Sequence, residues 1–330
     1  MTMLQHLSAI QSRNDAQRNI RTESSAKEPE DILPDLILAI EEPELYQHPN
    51  RQRHLARIFE KLVSGKTLGV SRKTQIIYST HSPHFVSIDN IQRVRILRKK
   101  SDETSNPKFT KIFSTTIEEI ANRMSDFKGR RDDSKYDGKS VQYRLYTTMT
   151  PIMNEGFFAD MVILVEGEAD RAAILAVAAE KGYDLESKGF SVIQCHGKNN
   201  IIKPAVIFAK LGIPTYLLWD SDYGKKDATP RYNRTLLKLA NCIEEDWPEH
   251  VSDRFACFKV DLEAKLIQEF GQTFFDESLS NFQNEFGIHE RKEAIKNPAV
   301  TSAIIHKAYA EGKCCKFLEG LLEKAILLQS

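Results

Sequence analysis

Two groups of acidic residues stand where they could do chemistry. In MVILVEGEAD, Glu166 follows an apolar run, Gly167 permits a tight turn, and Asp170 comes one helical turn later. In PTYLLWDSD, Asp220 and Asp222 close a second apolar run. Alternation along a strand points Asp220 and Asp222 the same way, with Ser221 opposite. At the ends of neighbouring parallel strands these side chains would converge, and such a cluster cannot stay ionised without cations. Oxygen donors with no paired Cys or His select Mg²⁺ or Mn²⁺ over zinc. Two such ions, roughly 3.5–4 Å apart, would clamp the attacking water and the leaving oxygen of a phosphodiester. A single acid in either place would serve equally well as a helix cap. The combination of E-G-x-x-D after one strand and D-x-D after another points to metal.

The second group lies earlier. LILAIEEPELYQHP puts Glu41 and Glu42 at the end of a short apolar run, and TQIIYSTHSP puts His81 at the end of the next. Adjacent carboxylates repel unless a proton or cation intervenes. With a histidine nearby they can hold Mg²⁺, polarise a water and sense a γ-phosphate. Capping glutamates and a core histidine would explain the same residues without chemistry.

The elements that must position these groups can be read from hydrophobic pattern. Residues 36–40, 74–80 and 94–97 are short apolar runs that suit strands, and 50–64 carries Leu55, Ile58, Phe59 and Leu62 on one helical face. Leu4, Leu7 and Ile10 suggest an amphipathic helix over 1–20, followed by a polar loop to residue 34. Residues 98–111 are charged and turn-rich, TIEEIANRM reads as a helix, and 126–140 is densely charged. A β-α-β rhythm restarts near residue 156: strands at 161–167, 190–197, 214–222 and 256–260, with helices between them and a helical C-terminus. Short apolar strands alternating with helices predict a parallel sheet wound with helices.

Composition sets outer limits. The chain has 330 residues, 41% hydrophobic and 28% charged, with 46 basic and 46 acidic side chains. That suits about two folded domains and excludes wholesale disorder. Zero net charge argues against a uniformly basic nucleic-acid binder but leaves room for a local site whose positive charge is metal. No apolar run nears the ~20 residues of a membrane helix, and the N-terminus lacks the apolar core of a secretory signal. Cys195, Cys242, Cys257, Cys314 and Cys315 form no C-x-x-C pair and suit no disulfide framework, which fits reduced thiols in the cytoplasm. Cys195 and His196 together make only a weak zinc pattern.

The EEPE-x-x-x-HP segment and STHSP resemble the Walker B motif, D-loop and switch-histidine loop of ABC-type ATPases in bacterial DNA-processing systems. That resemblance implies Glu41 on the Mg²⁺ side, Glu42 activating water and His81 at the γ-phosphate. No G-x-x-x-x-G-K-[ST] and no LSGGQ-like motif occurs in these 330 residues. The chain is therefore expected to carry the water-activating half of an ATPase site without the phosphate-gripping half, and not to hydrolyse ATP alone.

The E-G-x-x-D and D-x-D pair resembles the TOPRIM domain of topoisomerases, primases and certain nucleases. Both modules in this order, with CHGKNNI and LGIPTYLLWDSD, resemble the OLD (overcoming lysogenization defect) family of ATP-dependent nucleases, to which the nuclease subunit of the Gabija defence system is related. The fold this implies is α/β. An N-terminal helix and loop (1–34) precede a partial ABC-type ATPase lobe (35–115), a linker (116–155) and a Rossmann-like TOPRIM nuclease domain with a helical C-terminus (156–330).

By the same resemblance, Glu166, Asp170, Asp220, Asp222 and Glu263 hold two Mg²⁺ or Mn²⁺ ions, with Asp261 the alternative to Glu263. Lys313 stabilises the transition state, with Lys316 as runner-up. A solvated lysine at a helix start is the plainer account of Lys313. The implied activity is metal-dependent endonucleolytic cutting or nicking of DNA, in anti-phage defence or DNA processing. The implied partners are DNA, a second copy of the chain, and a separately encoded ATPase half or helicase-like protein. A regulatory subunit without catalysis, or topoisomerase- or primase-like chemistry, are the competing readings.

Among smaller features, His196 and Lys198 follow a strand end and suit either nucleic-acid contact or a turn. Arg130, Arg131 and Lys135 interleave with acids and suit a solvated loop. Trp219 suits the core, and Tyr223, just past D-x-D, is the better candidate for base stacking.

Overall fold

A computed structural model describes residues 35–64, 73–102, 105–127, 137–226 and 228–329. The expected helix at 1–20, the loop at 21–34 and the residues Arg130, Arg131, Asp132, Asp133 and Lys135 lie outside that set. Compactness divides the chain between Phe85 and Val86.

In the first unit, β1 (Leu36–Glu41) pairs in parallel with β2 (Thr74–Ser79), with Glu41 opposite Ser79. The helix Pro49–Val63 joins them. Proline at its first position suits a helix start, and the His48 side chain accepts from the Asn50 amide. Phe59 and Leu62 are its buried residues, and Phe59 packs its ring against Tyr78 and Phe85. Both runs were expected to be buried strands. The parallel pairing is present, but Ile37 and Ile77 are each 68% exposed, so one face of this two-stranded sheet is open.

The second unit is built on a five-stranded sheet of order β6-β5-β7-β9-β8. Its strands are β5 (Met161–Val165), β6 (Phe190–Gln194), β7 (Thr215–Asp220), β8 (His250–Val251) and β9 (Phe255–Phe258). β5, β6, β7 and β9 run parallel, and the short edge strand β8, which the sequence pattern did not suggest, runs antiparallel. Successive residues of each strand enter opposite layers. Leu164, Trp219 and Cys257 join one apolar cluster, while Val165, Leu218 and Phe258 join the other. Burial on both faces explains why MVILV carries no polar residue. Helices Lys198–Lys210 and Arg231–Leu239 contribute to the first layer. Helices Glu168–Glu180, Leu262–Phe270 and Pro298–Ala310 contribute to the second.

Two expectations need correction. VRIL was read as a further parallel strand, and 98–111 as a turn-rich connection. Instead β3 (Ile96–Asp102) and β4 (Ser105–Phe113) form an antiparallel pair. The run does not read as a buried strand because its charges are consecutive in RKK and its apolar residues Leu97, Phe109 and Ile112 are themselves exposed. Residues 116–155 were read as a linker, and the strand pair as part of the ATPase lobe. Here both belong to the second unit. The helix Ile117–Ser125 opens with a capping box between Thr116 and Glu119, and Ile117, Ile120, Met124, Val141 and Leu145 enter the same cluster as β5 and β7. The Arg98 guanidinium donates to the Ala159 carbonyl at 2.5 Å, tying the ribbon to the entry of β5.

Trp219 is wholly buried, stacks on Phe255 at 5.1 Å and donates to the Asn233 side chain at 3.2 Å. Trp219→Ala is expected to cost about 3–5 kcal/mol, the usual loss for an emptied aromatic core site. Urea denaturation measures this, and a loss below ~1 kcal/mol would contradict the packing described.

Candidate active site

Parallel pairing of β5 with β7 and of β7 with β9 brings three strand exits to one edge, where ligands bind in open α/β sheets. Glu166 leaves β5, and its Oε2 accepts the Asp220 amide at 3.3 Å. Asp170 occupies the third position of the next helix and accepts the Gly167 amide at 2.8 Å. The exit of β7 is pinned to that of β9: Ser221 N donates to Phe258 O at 2.7 Å and Asp222 N to Val260 O at 3.2 Å. Asp222 takes a left-handed φ of 63°, a conformation that aspartate tolerates better than most residues. Below this turn, buried Asn233 donates to the Ser221 and Asp246 carbonyls at 3.0 and 2.8 Å.

Burial pushes Glu166, Asp170 and Asp220 towards their neutral forms. For Asp170 the result is about 7: desolvation dominates, the Gly167 amide opposes it, and the charges of Glu166 and Asp261 add to it. Asp220 is raised well above the usual range by burial, then by Asp170 and Glu166, and its Oδ1 is buried without a hydrogen-bond partner. Glu166 is raised by burial and by Asp222, against the Asp220 amide. Asp222 goes the other way. Burial opposes its charge, but Lys198 and Lys225 outweigh burial and hold it low.

Those lysines are the cations within the cluster. Buried Lys198 donates to Asp222 Oδ2 at 2.6 Å and to the Asp220 carbonyl at 2.7 Å. Lys225 bridges Asp222 Oδ1 and Asp261 Oδ2, at 2.9 Å each. The sequence reading left Lys198 between nucleic-acid contact and a turn, and did not find Lys225 or Asn233. The G-K after a strand end was the one available signal for Lys198.

The structure gathers Glu166, Asp170, Asp220, Asp222 and Asp261. It does not bring Glu263 with them: that side chain pairs with Arg291 at 2.9 Å, and Arg291 also holds Asp276 at 3.0 Å. Asp261 stands in its place because it caps the helix at the exit of β9, accepting from Ala264 N at 2.9 Å. Lys313 Nζ lies 5.1 Å over the Phe274 ring, and Lys316 is exposed at the start of the last helix. The Cys195 thiol is pushed up to about 12 by burial, which disfavours a zinc thiolate there.

The donor set fits a hard divalent ion. It offers carboxylate oxygens only, one of them buried and unsatisfied, on side chains whose ionisation is opposed by burial and by one another more than Lys225 offsets. Among the described residues no three His, Cys, Asp or Glu side chains already form a metal-holding group.

In the first unit the two loops expected to meet do so. Glu42, at φ 43°, has its Oε1 3.6 Å from His81 Nε2. Glu44 accepts the His81 amide at 2.6 Å and the Thr80 hydroxyl at 2.8 Å, clasping one loop to the other. Glu41 ends β1.

A parallel sheet with a glutamate at one strand exit and D-x-D at the next is the arrangement expected of a TOPRIM-type α/β domain. Residues 157–222 match the family described as the TOPRIM domain of overcoming lysogenization defect protein-like proteins, and residues 12–86 match the AAA ATPase domain family. Over those residues the chain is similar to an OLD-like TOPRIM domain and to an AAA ATPase domain. It is 30% identical over 183 residues to an OLD nuclease of Thermus scotoductus, covering 56% of this chain and 30% of the relative. It is 25% identical to the Old nuclease of Escherichia phage P2, covering 68% and 31%. It is 24% identical to endonuclease GajA of Bacillus cereus, covering 76% and 37%. The chain spans about a third of the length of these relatives.

Raised carboxyl pKa values mean that the folded state binds more protons than the unfolded chain. Without divalent ions, stability should therefore fall as pH rises from about 4, the unfolded value, through about 7, the folded value of Asp170. Asp220→Asn removes a buried carboxyl whose ionisation the fold opposes. It should stabilise the metal-free protein at pH 7.5 by on the order of 1–3 kcal/mol, with less gain at pH 5. Thermal melts in EDTA measure both, and a destabilised variant at pH 7.5 would contradict the charge assignment.

Proposed function

We propose that the chain is the nuclease portion of an OLD-type enzyme that hydrolyses DNA phosphodiesters with Mg²⁺ or Mn²⁺. The observation that carries this reading is the meeting of Glu166 and Asp220 at adjacent strand exits, with Asp220 Oδ1 buried and unpartnered. Glu166, Asp170, Asp220 and Asp222, with Asp261 in the place expected of Glu263, would hold two ions. Ions bound there would supply a water of lowered pKa and neutralise charge on the phosphate. The water oxygen forms a bond to phosphorus as the bridging P–O bond breaks; the water's proton passes to solvent, and the departing oxygen takes a proton from solvent to leave as a hydroxyl. Glu166 and Asp220 fix the direction of attack because β5 and β7 hold them. Lys198 keeps the Asp220–Asp222 turn in shape from beneath. Lys225 lends positive charge near the developing negative charge. The names of the relatives support the substrate class.

In the first unit, Glu41, Glu42 and His81 form the water-activating side of a nucleotide site, with Glu44 setting the histidine loop. A phosphate-gripping loop, which these 330 residues do not contain, has to be supplied by another segment or chain, and ATP then regulates cutting. Anti-phage defence is the setting that best fits such a switchable nuclease. Its place is the cytoplasm, where the five cysteines, all free, stay reduced. No described helix is long and apolar enough to cross a membrane.

Supercoiled plasmid incubated with Mg²⁺ or Mn²⁺ should give nicked or linear product. EDTA should block it, and Asp222→Asn should lower the rate by on the order of 10²-fold or more without changing the fold. Unchanged plasmid would instead favour a regulatory subunit, and relaxed closed circles would favour strand passage.

A further inference from the structure

Beside the carboxylates stands an aromatic group that the reaction above does not use. Tyr223 follows Asp222 directly, and its amide donates to Lys259 O at 2.9 Å, so the ring is held one residue from the D-x-D turn. The side chain is 49% exposed. The half-buried indole of Trp247 meets it edge to face at 5.8 Å and 72°, and the Lys259 ammonium lies 5.1 Å over the ring. Aromatic faces take up nucleobases, and a cation beside them takes the phosphate that follows. Of the acids nearby, Glu244 pairs with Lys238 at 3.0 Å and Asp246 with Arg234 at 2.6 Å, while Glu249 is shared between Lys265 at 2.9 Å and Lys259 at a looser 3.7 Å.

We propose that Tyr223, backed by Trp247 and Lys259, is a stacking subsite for one unpaired nucleobase adjoining the phosphate held at the carboxylates. A base inside a duplex has both faces covered by its neighbours, so this subsite takes single strands, frayed ends or bubbles. The inference rests on the nuclease reading and adds the form of the substrate to it. Stacking is indifferent to which base is offered, so the subsite selects strand form and not sequence.

The test is fluorescence anisotropy with a labelled mixed-sequence oligonucleotide, single-stranded or duplex, with Ca²⁺ in place of Mg²⁺ as the oxygen-bound ion. Tyr223→Ala should weaken single-strand binding roughly tenfold, the usual loss per stacked base. Tyr223→Phe should stay close to wild type, and duplex binding should move less than about twofold in both. Thermal melts of both variants should match wild type, since the ring is surface-exposed. Equal single-strand binding by Tyr223→Ala and wild type overturns the subsite, and so does an equal loss in Tyr223→Ala and Tyr223→Phe. A wild-type chain that binds neither oligonucleotide and leaves plasmid uncut overturns the nuclease reading itself, which separates the two failures.

Discussion

Carboxylates repel, and they repel most where water is excluded. Glu166, Asp170 and Asp220 are held together in such a place by elements that have no freedom to move them apart. Glu166 and Asp220 stand at the ends of strands whose interior side chains are buried on both faces, and Asp170 is fixed in the first turn of a helix. The fold accepts this repulsion and offsets it in two ways. Lys198 and Lys225 neutralise the Asp222 and Asp261 side of the cluster. The Glu166, Asp170 and Asp220 side is left to protons, with burial raising all three carboxyls. Residues that destabilise their own fold unless a cation arrives are what a binding site requires, and strain of this kind gathers at functional sites.

The positions around the cluster follow from that demand. The Asp220–Asp222 turn must not relax, and it is held from three directions: by the exit of β9 through backbone hydrogen bonds, by Lys198 through its carbonyls, and by Asn233 through the Ser221 carbonyl. Trp219 completes the chain of support by donating to Asn233 from the strand itself. The ATPase-type loops use the same device on a smaller scale. Two parallel strands bring Glu42 and His81 side by side, and Glu44 fastens the loops together.

Much of this was legible in the sequence, for physical reasons. Apolar strands buried on both faces leave an unbroken run such as MVILV, and the acids that end them stand out against it. Glu166, Asp170, Asp220 and Asp222 were readable on that account, and so was the pairing of Glu42 with His81. Asp261 and Glu263 were harder to separate. They lie two residues apart at a helix start, and only the direction of the chain leaving β9 decides which faces the cluster. Lys225 was not readable, and Lys198 only as a G-K after a strand end with its partner unnamed, because a long flexible stem lets Nζ reach groups that sequence spacing does not reveal. Lys198 finds Asp222 and Lys225 finds Asp261 only once the strand exits are in place. The ribbon β3–β4 and the helix Ile117–Ser125 were misassigned because their charge density resembles that of a connector. The buried face of that helix appears only once it joins the apolar cluster that β5 and β7 share with the helix Lys198–Lys210.

Anomalous diffraction from crystals soaked in Mn²⁺ at pH 7.5 addresses the central claim most directly. The account predicts a peak within bonding reach of Glu166 and Asp220 carboxylate oxygens, at about the 2.0–2.2 Å expected for a small divalent ion. It should be lost in Asp220→Asn. An empty pocket under saturating Mn²⁺, with Glu166 and Asp220 facing one another unchanged, would contradict it.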